Sequence, residues 1–322
     1  MKALRLHAAG ELELHEEPDP EPQPREVLVR VGGVGLCGSD RHWFLEGGIG
    51  DAVLGEPLVL GHELAGVVAS GARRGERVVL DPAVPCGRCA LCLAGDGHLC
   101  AELRFAGHGS TDGGLRTLVA WPERLAHALP DSVSDEAAPL LEPLGVALHA
   151  VDLGGSGPGT TAAVFGCGPL GLLLVQALQA AGVTVELATD PLPHRADAAR
   201  SLGARRSDPT DVRVDVAYEA AGDDGALDDA IAAARPGGRV VLVGIPDGDR
   251  STFHAAAARR KELTLVLCRR MRADDLPRAI HAAASGRLEL SSLVSARYPL
   301  HEGAQAFRDL VDRRGLKVVV EP

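Results

Sequence analysis

Four cysteines within fifteen residues, Cys86, Cys89, Cys92 and Cys100 in the pattern CxxCxxCx7C, constrain this chain more than any other feature. Thiolates at that density hold zinc or an iron–sulfur cluster, and four sulfurs around one zinc leave no position open for chemistry. The bacterial ferredoxin pattern puts its fourth cysteine after three residues and before proline, whereas here the gap is seven and Ala101 follows. The spacing favours a zinc staple for a small lobe, with His98 an exposed loop residue and the chemistry elsewhere. Cys37 in CGSDRH and His62 with Glu63 in GHE offer a second, mixed donor set. Mixed donors of this kind suit a zinc that keeps a position for water or substrate.

A chain of 322 residues is longer than one core usually organises, which predicts two domains. The net charge of −11 argues against a nucleic-acid partner and against anionic membranes, both of which need clustered Lys and Arg. Met1 to Arg30 holds no apolar run of signal-peptide length, so a cytoplasmic protein is expected. In a reducing compartment, dense cysteines are metal ligands more often than disulfides, and Cys167 and Cys268 read as buried small hydrophobes. The stretch 153–185 carries no charge, but repeated Gly and Pro break it, so it reads as a strand and a buried helix rather than a membrane span.

The first half predicts short strands at Leu28–Val31, Leu64–Ala69, Arg77–Leu80 and Arg116–Ala120, separated by Gly/Pro loops. From Thr161 the rhythm becomes strand, helix, strand, as in parallel βαβ units. Strands are expected at Ala162–Phe165, Val183–Thr189, Val214–Glu219, Arg239–Val243 and Leu263–Cys268, with helices at Leu170–Ala181, Arg195–Leu202 and Ala226–Ala234. Two further helices are expected, Leu276–Ala284 before Gly286 and Ala304–Arg314 ending at Gly315 as a C′ glycine. The closing Lys317–Val320 reads as a strand returning to the first domain. The domains are then 1–152, completed by 272–322, and 153–271.

After the strand at 162–165 comes Gly166, Cys167, Gly168, Pro169, Leu170, Gly171, a GxGxxG opening an apolar helix. The first glycine permits a tight turn, the second lets amides approach a pyrophosphate, and the third lets helix pack on strand. Asp190 ends the next strand, where an acid grips the adenosine ribose and repels a 2′-phosphate. NAD is therefore expected over NADP, with Arg195 counted among the cofactor contacts.

CGSDRH, GHE, the four-cysteine lobe, EPL at 142–144 and GxGxxG together resemble the zinc-dependent medium-chain dehydrogenase/reductase family, in order and over essentially the whole chain. RHWFLEGGIGDAVLGEPLVLGHE is most similar to its polyol branch, the sorbitol, xylitol and idonate dehydrogenases. The resemblance implies an α/β protein, a doubly wound Rossmann sheet joined to a mostly β GroES-like catalytic domain, with substrate bound in the cleft between them. It implies that Cys37, His62 and Glu63 ligate a catalytic zinc, with Glu142 reaching it directly or through water. Ser39 and His42 match the family's proton relay, and Asp40 is expected to orient His62. Arg269 matches a substrate contact, and Trp43 and Phe105 are counted with it. Arg270, Trp43 and Phe44 depart from tyrosines usual in that branch, so the pocket is altered.

The implied activity is a zinc- and NAD-dependent oxidation of a secondary alcohol in a polyol or sugar derivative to a ketone, with two zincs per chain. An L-threonine or vicinal-diol dehydrogenase shares the metal motifs. A non-catalytic zinc-stapled binder has no need of the relay residues, and a zinc-finger nucleic-acid binder conflicts with the charge. The family implies a homodimer or homotetramer, with the strand at 263–268 pairing across the dimer axis.

Overall fold

The computed structural model describes residues 1–204 and 211–322. It divides into two units, Met1–Glu142 with Arg272–Pro322, and Pro143–Met271. The changeover lies within the helix Leu141–Gly154, ahead of the boundary at residue 152 expected from sequence.

The first unit is built on the long strand Glu26–Gly35, which alternates buried and open positions and then buries its last three residues. Such a strand can be shared. It pairs antiparallel with Glu63–Val68 along its length, with Leu118–Pro122 through its first half, and with Lys317–Glu321 at its end. The sheet runs in the order Ala126–Ala128, Arg77–Leu80, Glu63–Val68, Glu26–Gly35, Lys317–Glu321, Val294–Pro299. The last residues of the chain thus complete the unit that the first residues begin. A smaller sheet of Glu11–Glu16, Lys2–Ala8 and Leu58–Val59 adds to the same core, where Leu4, Leu6, Leu60, Leu64, Trp43 and Phe307 are buried.

The second unit holds a five-stranded parallel sheet in the order Thr184–Thr189, Thr161–Phe165, Val214–Glu219, Ala234–Leu242, Thr264–Leu267. The strand order reverses direction at Thr161–Phe165, and in open α/β sheets ligands bind beyond the carboxyl ends of the strands at such a switch point. The apolar stretch flagged in the sequence is this strand followed by the helix Pro169–Ala180. Among the described residues, no helix is long and apolar enough to cross a membrane.

Several elements were not foreseen. Lys2–Ala8 and Glu11–Glu16 form an antiparallel hairpin, Gly38–Glu46 and Leu141–Gly154 are helices, and Val294–Pro299 is a strand. The last helix ends at Val311, before the Arg314 expected from sequence. Arg313 takes the left-handed turn at φ 54°, and Gly315 serves a later turn, where a Cβ would come within 2.4 Å of Ser295 Oγ.

Candidate active site and cofactor site

Cys37 stands at the N-cap of the helix Gly38–Glu46, so one short segment carries Cys37, Ser39, Asp40 and His42. Asp40 is fully buried and ties this segment to the next. Its carboxylate accepts the N–H of Cys37 at 2.9 Å and of Gly61 at 3.2 Å, and lies 3.7 Å from His62 Nδ1. Asp40, expected to orient this ring, meets it as a charge neighbour at a separation longer than a hydrogen bond. Burial pushes the Asp40 carboxyl up, against His62 and the two N–H groups. Burial disfavours a charged His62, yet Asp40, Cys37 and Glu142 together raise its pKa well above the usual value.

Cys37, His62 and Glu63 bring their ligand atoms within 4.8 Å of one another. Thiolate, imidazole and carboxylate converging on one point are a donor set for zinc, and three protein ligands leave a position open. Glu142, in the first turn of the helix Leu141–Gly154, does not join that group at the same distance. Its carboxyl is pushed up to about 7, chiefly by burial.

Lys317 was missed in the sequence. Its Nζ donates to both Glu63 oxygens, at 2.5 and 2.7 Å, and to the Leu36 carbonyl at 3.0 Å, with side-chain exposures of only 2% and 1% for the pair. Burial opposes the ammonium, but Glu63 and Cys37 hold its pKa above the ordinary value. The run Lys-Val-Val-Val at 317–320 marks Lys317 as a cation at the head of an apolar strand, but nothing local names Glu63 as its partner. Both oxygens that would face a metal are thus engaged by a cation from the end of the chain. Any zinc bound through Glu63 shares that carboxylate with Lys317.

Ser39 and His42 lie three residues apart on one helix, a spacing that puts side chains on the same face. His42 is buried, and its Nδ1 contacts Glu46 Oε1 at 2.7 Å, while the Glu46 side chain is 45% exposed. Glu46 was likewise not anticipated. The expected substrate residues fare unequally. Trp43 is 1% exposed inside the core of the first unit, with His108 edge-on at 5.3 Å, so it packs the domain rather than presenting its ring to substrate. Phe105 is half-buried with its ring 5.3 Å from that of His62. Arg269 is exposed just past the edge strand Thr264–Leu267 of the second unit. Arg270 takes a left-handed conformation at φ 58°.

In the four-cysteine lobe the sulfurs lie 3.9 Å apart for Cys86 and Cys92, 3.4 Å for Cys89 and Cys92, and 3.9 Å for Cys89 and Cys100. Tetrahedral zinc with Zn–S bonds of about 2.3 Å separates its sulfurs by about 3.8 Å. The lobe is therefore shaped for a single zinc. Backbone N–H groups of Arg88 and Cys89 lower the Cys86 pKa, favouring the thiolate a metal requires.

The second unit builds a nucleotide cradle from the GxGxxG turn. Gly166 has φ 95°, and a Cβ there would meet the Ala221 amide at 2.7 Å; at Gly171 a Cβ would lie 1.8 Å from the Gly166 carbonyl. Only glycine lets the turn and the helix come this close. Gly168 caps the helix and Pro169 occupies its first position, so Pro169, Leu170 and Gly171 form the N-terminal turn, which favours a phosphate. Asp190 accepts the N–H of Cys167 at 2.8 Å and of Leu192 at 2.9 Å, and the Arg195 guanidinium lies 3.4 Å from where a Gly168 Cβ would be. Across the switch point Glu219 caps its own strand, accepting the N–H groups of Ala221 at 2.6 Å and Gly222 at 2.7 Å. The cradle fits a dinucleotide, and Asp190 and Arg195 both lie beside its glycine turn.

Comparison with known proteins agrees. The family model for the alcohol dehydrogenase GroES-like domain matches residues 23–131, and that for zinc-binding dehydrogenases matches 169–285. The chain is 34% identical to sorbitol dehydrogenase of Bacillus subtilis (strain 168), covering 100% of this chain and 97% of that one. The crystal structure of L-idonate 5-dehydrogenase from Escherichia coli K-12 superposes with a TM-score of 0.92 at 26% identity, covering 100% and 98% of the two chains. A Sinorhizobium meliloti 1021 structure, described as a zinc-binding dehydrogenase bound to NADP, gives 0.90 at 30% identity and covers 100% and 99%. The two matched domains in sequence, the parallel sheet with its glycine turn and the mixed-donor cluster agree: this chain belongs to the zinc-dependent medium-chain dehydrogenase/reductase family, on its sorbitol dehydrogenase-like branch.

Proposed function

We propose that this protein oxidises a secondary alcohol of a polyol or sugar derivative to a ketone, with NAD as the hydride acceptor. The observation that carries the reading is the convergence of Cys37, His62 and Glu63 at the foot of the helix that bears Ser39 and His42. When bound, zinc supplies the Lewis acidity that makes an alcohol acidic at neutral pH, and NAD supplies the hydride acceptor. The protein's own task is then to move a proton. Ser39 takes it from the alcohol and His42 passes it on. Glu46, 2.7 Å from His42 Nδ1 and open to water, delivers it to solvent. Glu142, buried in the first turn of the helix Leu141–Gly154, is the further carboxyl that would reach the metal directly or through its water.

NAD is preferred over NADP because Asp190 would face a 2′-phosphate with a like charge. Substrate contacts come from Phe105, beside His62, and from Arg269. Neutral polyols rank ahead of sugar acids, since one guanidinium rather than a pair has a role in the resemblance. We further propose a homodimer or homotetramer joined through the edge strand Thr264–Leu267, whose Leu267 is 78% exposed.

The test is a panel of polyols, aldonates, vicinal diols and amino alcohols read by NADH absorbance. Turnover confined to L-threonine or to simple diols would replace the polyol reading. The absence of any turnover by zinc-loaded protein would remove it.

A further inference from the structure

The structure assigns a further metal site to the N-terminal hairpin, formed by His7, Glu13 and His15 and fitted to a divalent first-row transition ion. The hairpin pairs Lys2–Ala8 with Glu11–Glu16, Ala3 opposite His15 and Arg5 opposite Glu13. Side chains two apart in a strand share a face, so Arg5, His7, Glu13 and His15 fall on one side while Leu4 and Leu6 are buried on the other. A register shift between Leu6 and Ala8 leaves His7 at the irregular position of the hairpin, and its ring meets that of His15 on the neighbouring strand.

The result is an unusual meeting of rings. His7 Nε2 and His15 Nε2 stand 2.8 Å apart, the ring planes at 24°, and one oxygen of Glu13 lies 3.8 Å from each nitrogen. A point equidistant from these three atoms lies about 2.0 Å from each, the usual length of zinc–nitrogen and zinc–oxygen bonds. Aiming both nitrogen lone pairs at that point requires the rings to turn about their Cβ–Cγ bonds. Exposures of 29% and 34% leave them room to do so.

Charge also favours a cation. Arg5 is the nearest competitor for Glu13, but its guanidinium is engaged by Glu17 at 2.5 and 3.0 Å and by Asp112 at 2.9 and 2.8 Å. Glu13 is left to the two imidazoles. Two imidazoles and a carboxylate suit zinc, copper or nickel rather than calcium or magnesium, which prefer oxygen donors. No residue of this trio belongs to the catalytic cluster or the four-cysteine lobe. The remaining coordination positions open to solvent, so the bound ion clips the two strands of the hairpin together rather than catalysing a reaction.

The experiment uses the full-length, zinc-loaded protein and Zn(II) as probe, comparing the unmodified chain with His7→Asn, His15→Asn and Glu13→Gln. Equilibrium dialysis against micromolar Zn(II), read by elemental analysis, should show one equivalent per chain fewer in each histidine variant and weaker retention in Glu13→Gln. Dehydrogenase turnover should stay unchanged in all of them. The unmodified chain should also gain thermal stability with added Zn(II), and the histidine variants should not. Equal zinc in all four proteins, or a stability gain that survives loss of either histidine, overturns the assignment. The comparison is between variants, so its outcome does not depend on the substrate reading.

Discussion

At the residue scale, the site turns on buried charges whose partners arrive from distant parts of the chain. Lys317 and Glu63 are separated by most of the sequence, yet neither tolerates the loss of the other, because an unpaired charge would be left without water. Lys317→Met should lower unfolding free energy by about 3–5 kcal/mol in metal-free protein, measured by denaturant titration. Lys317→Arg should retain most of it. Asp81 gives a pH prediction: burial raises its carboxyl to about 6, although the Ala83 N–H stabilises the anion at 2.9 Å. The native state therefore keeps a proton that the unfolded chain has released above its own pKa of about 4. Stability associated with this group is whole below pH 4, falls as pH climbs through 6, and is lost above. Asp81→Asn should stabilise the protein at pH 8 by up to about 3 kcal/mol and hardly at all at pH 4. A gain that does not depend on pH would show that charge is not the cause. Glu46→Gln should slow turnover by less than about tenfold, since water can replace an exposed terminus of a relay, and small buffer bases should restore the rate.

At the scale of elements, the glycine turn depends on close backbone approach, and the cysteine lobe has little core of its own. Gly171 lets the helix Pro169–Ala180 seat against the turn before it, and a methyl group there collides with the Gly166 carbonyl. Gly171→Ala should cost about 2–3 kcal/mol and abolish cofactor binding, which nucleotide titration followed by fluorescence would reveal. The lobe is expected to owe its fold to a bound metal instead. Its helix Ala90–Leu93 buries no residue, and Leu91, Leu93 and Leu99 are exposed, so there is little core to support it without zinc. Cys92→Ser should remove one zinc per chain and open residues 86–100 to proteolysis while the Rossmann sheet keeps its circular dichroism.

At the scale of the whole molecule, the two zinc sites should separate cleanly. Cys37→Ser should end turnover with little change in melting temperature, and Cys89→Ser should lower the melting temperature first. Elemental analysis finding one zinc per chain in the unmodified protein would contradict that division. Asp190→Ser should erode the preference for NAD by removing the repulsion of a 2′-phosphate.

What could be read from the sequence alone was whatever depends on short spacing. CxxCxxCx7C, GHE and GxGxxG each act within one turn or loop, so their residue types and intervals carry the chemistry, and the alternating βαβ rhythm carries the parallel sheet. The strand that leads to Asp190 was legible for the same reason. The tertiary structure decided what depends on contacts between distant segments. Lys317 against Glu63, and the sharing of Glu26–Gly35 among three partner strands, involve residues whose separation along the chain leaves no local pattern. Glu46 needed the helix Gly38–Glu46 to be known before its spacing from His42 had meaning. Trp43 was misread because a residue beside a catalytic motif can point either to substrate or to the core. Only the packing around it distinguishes the two.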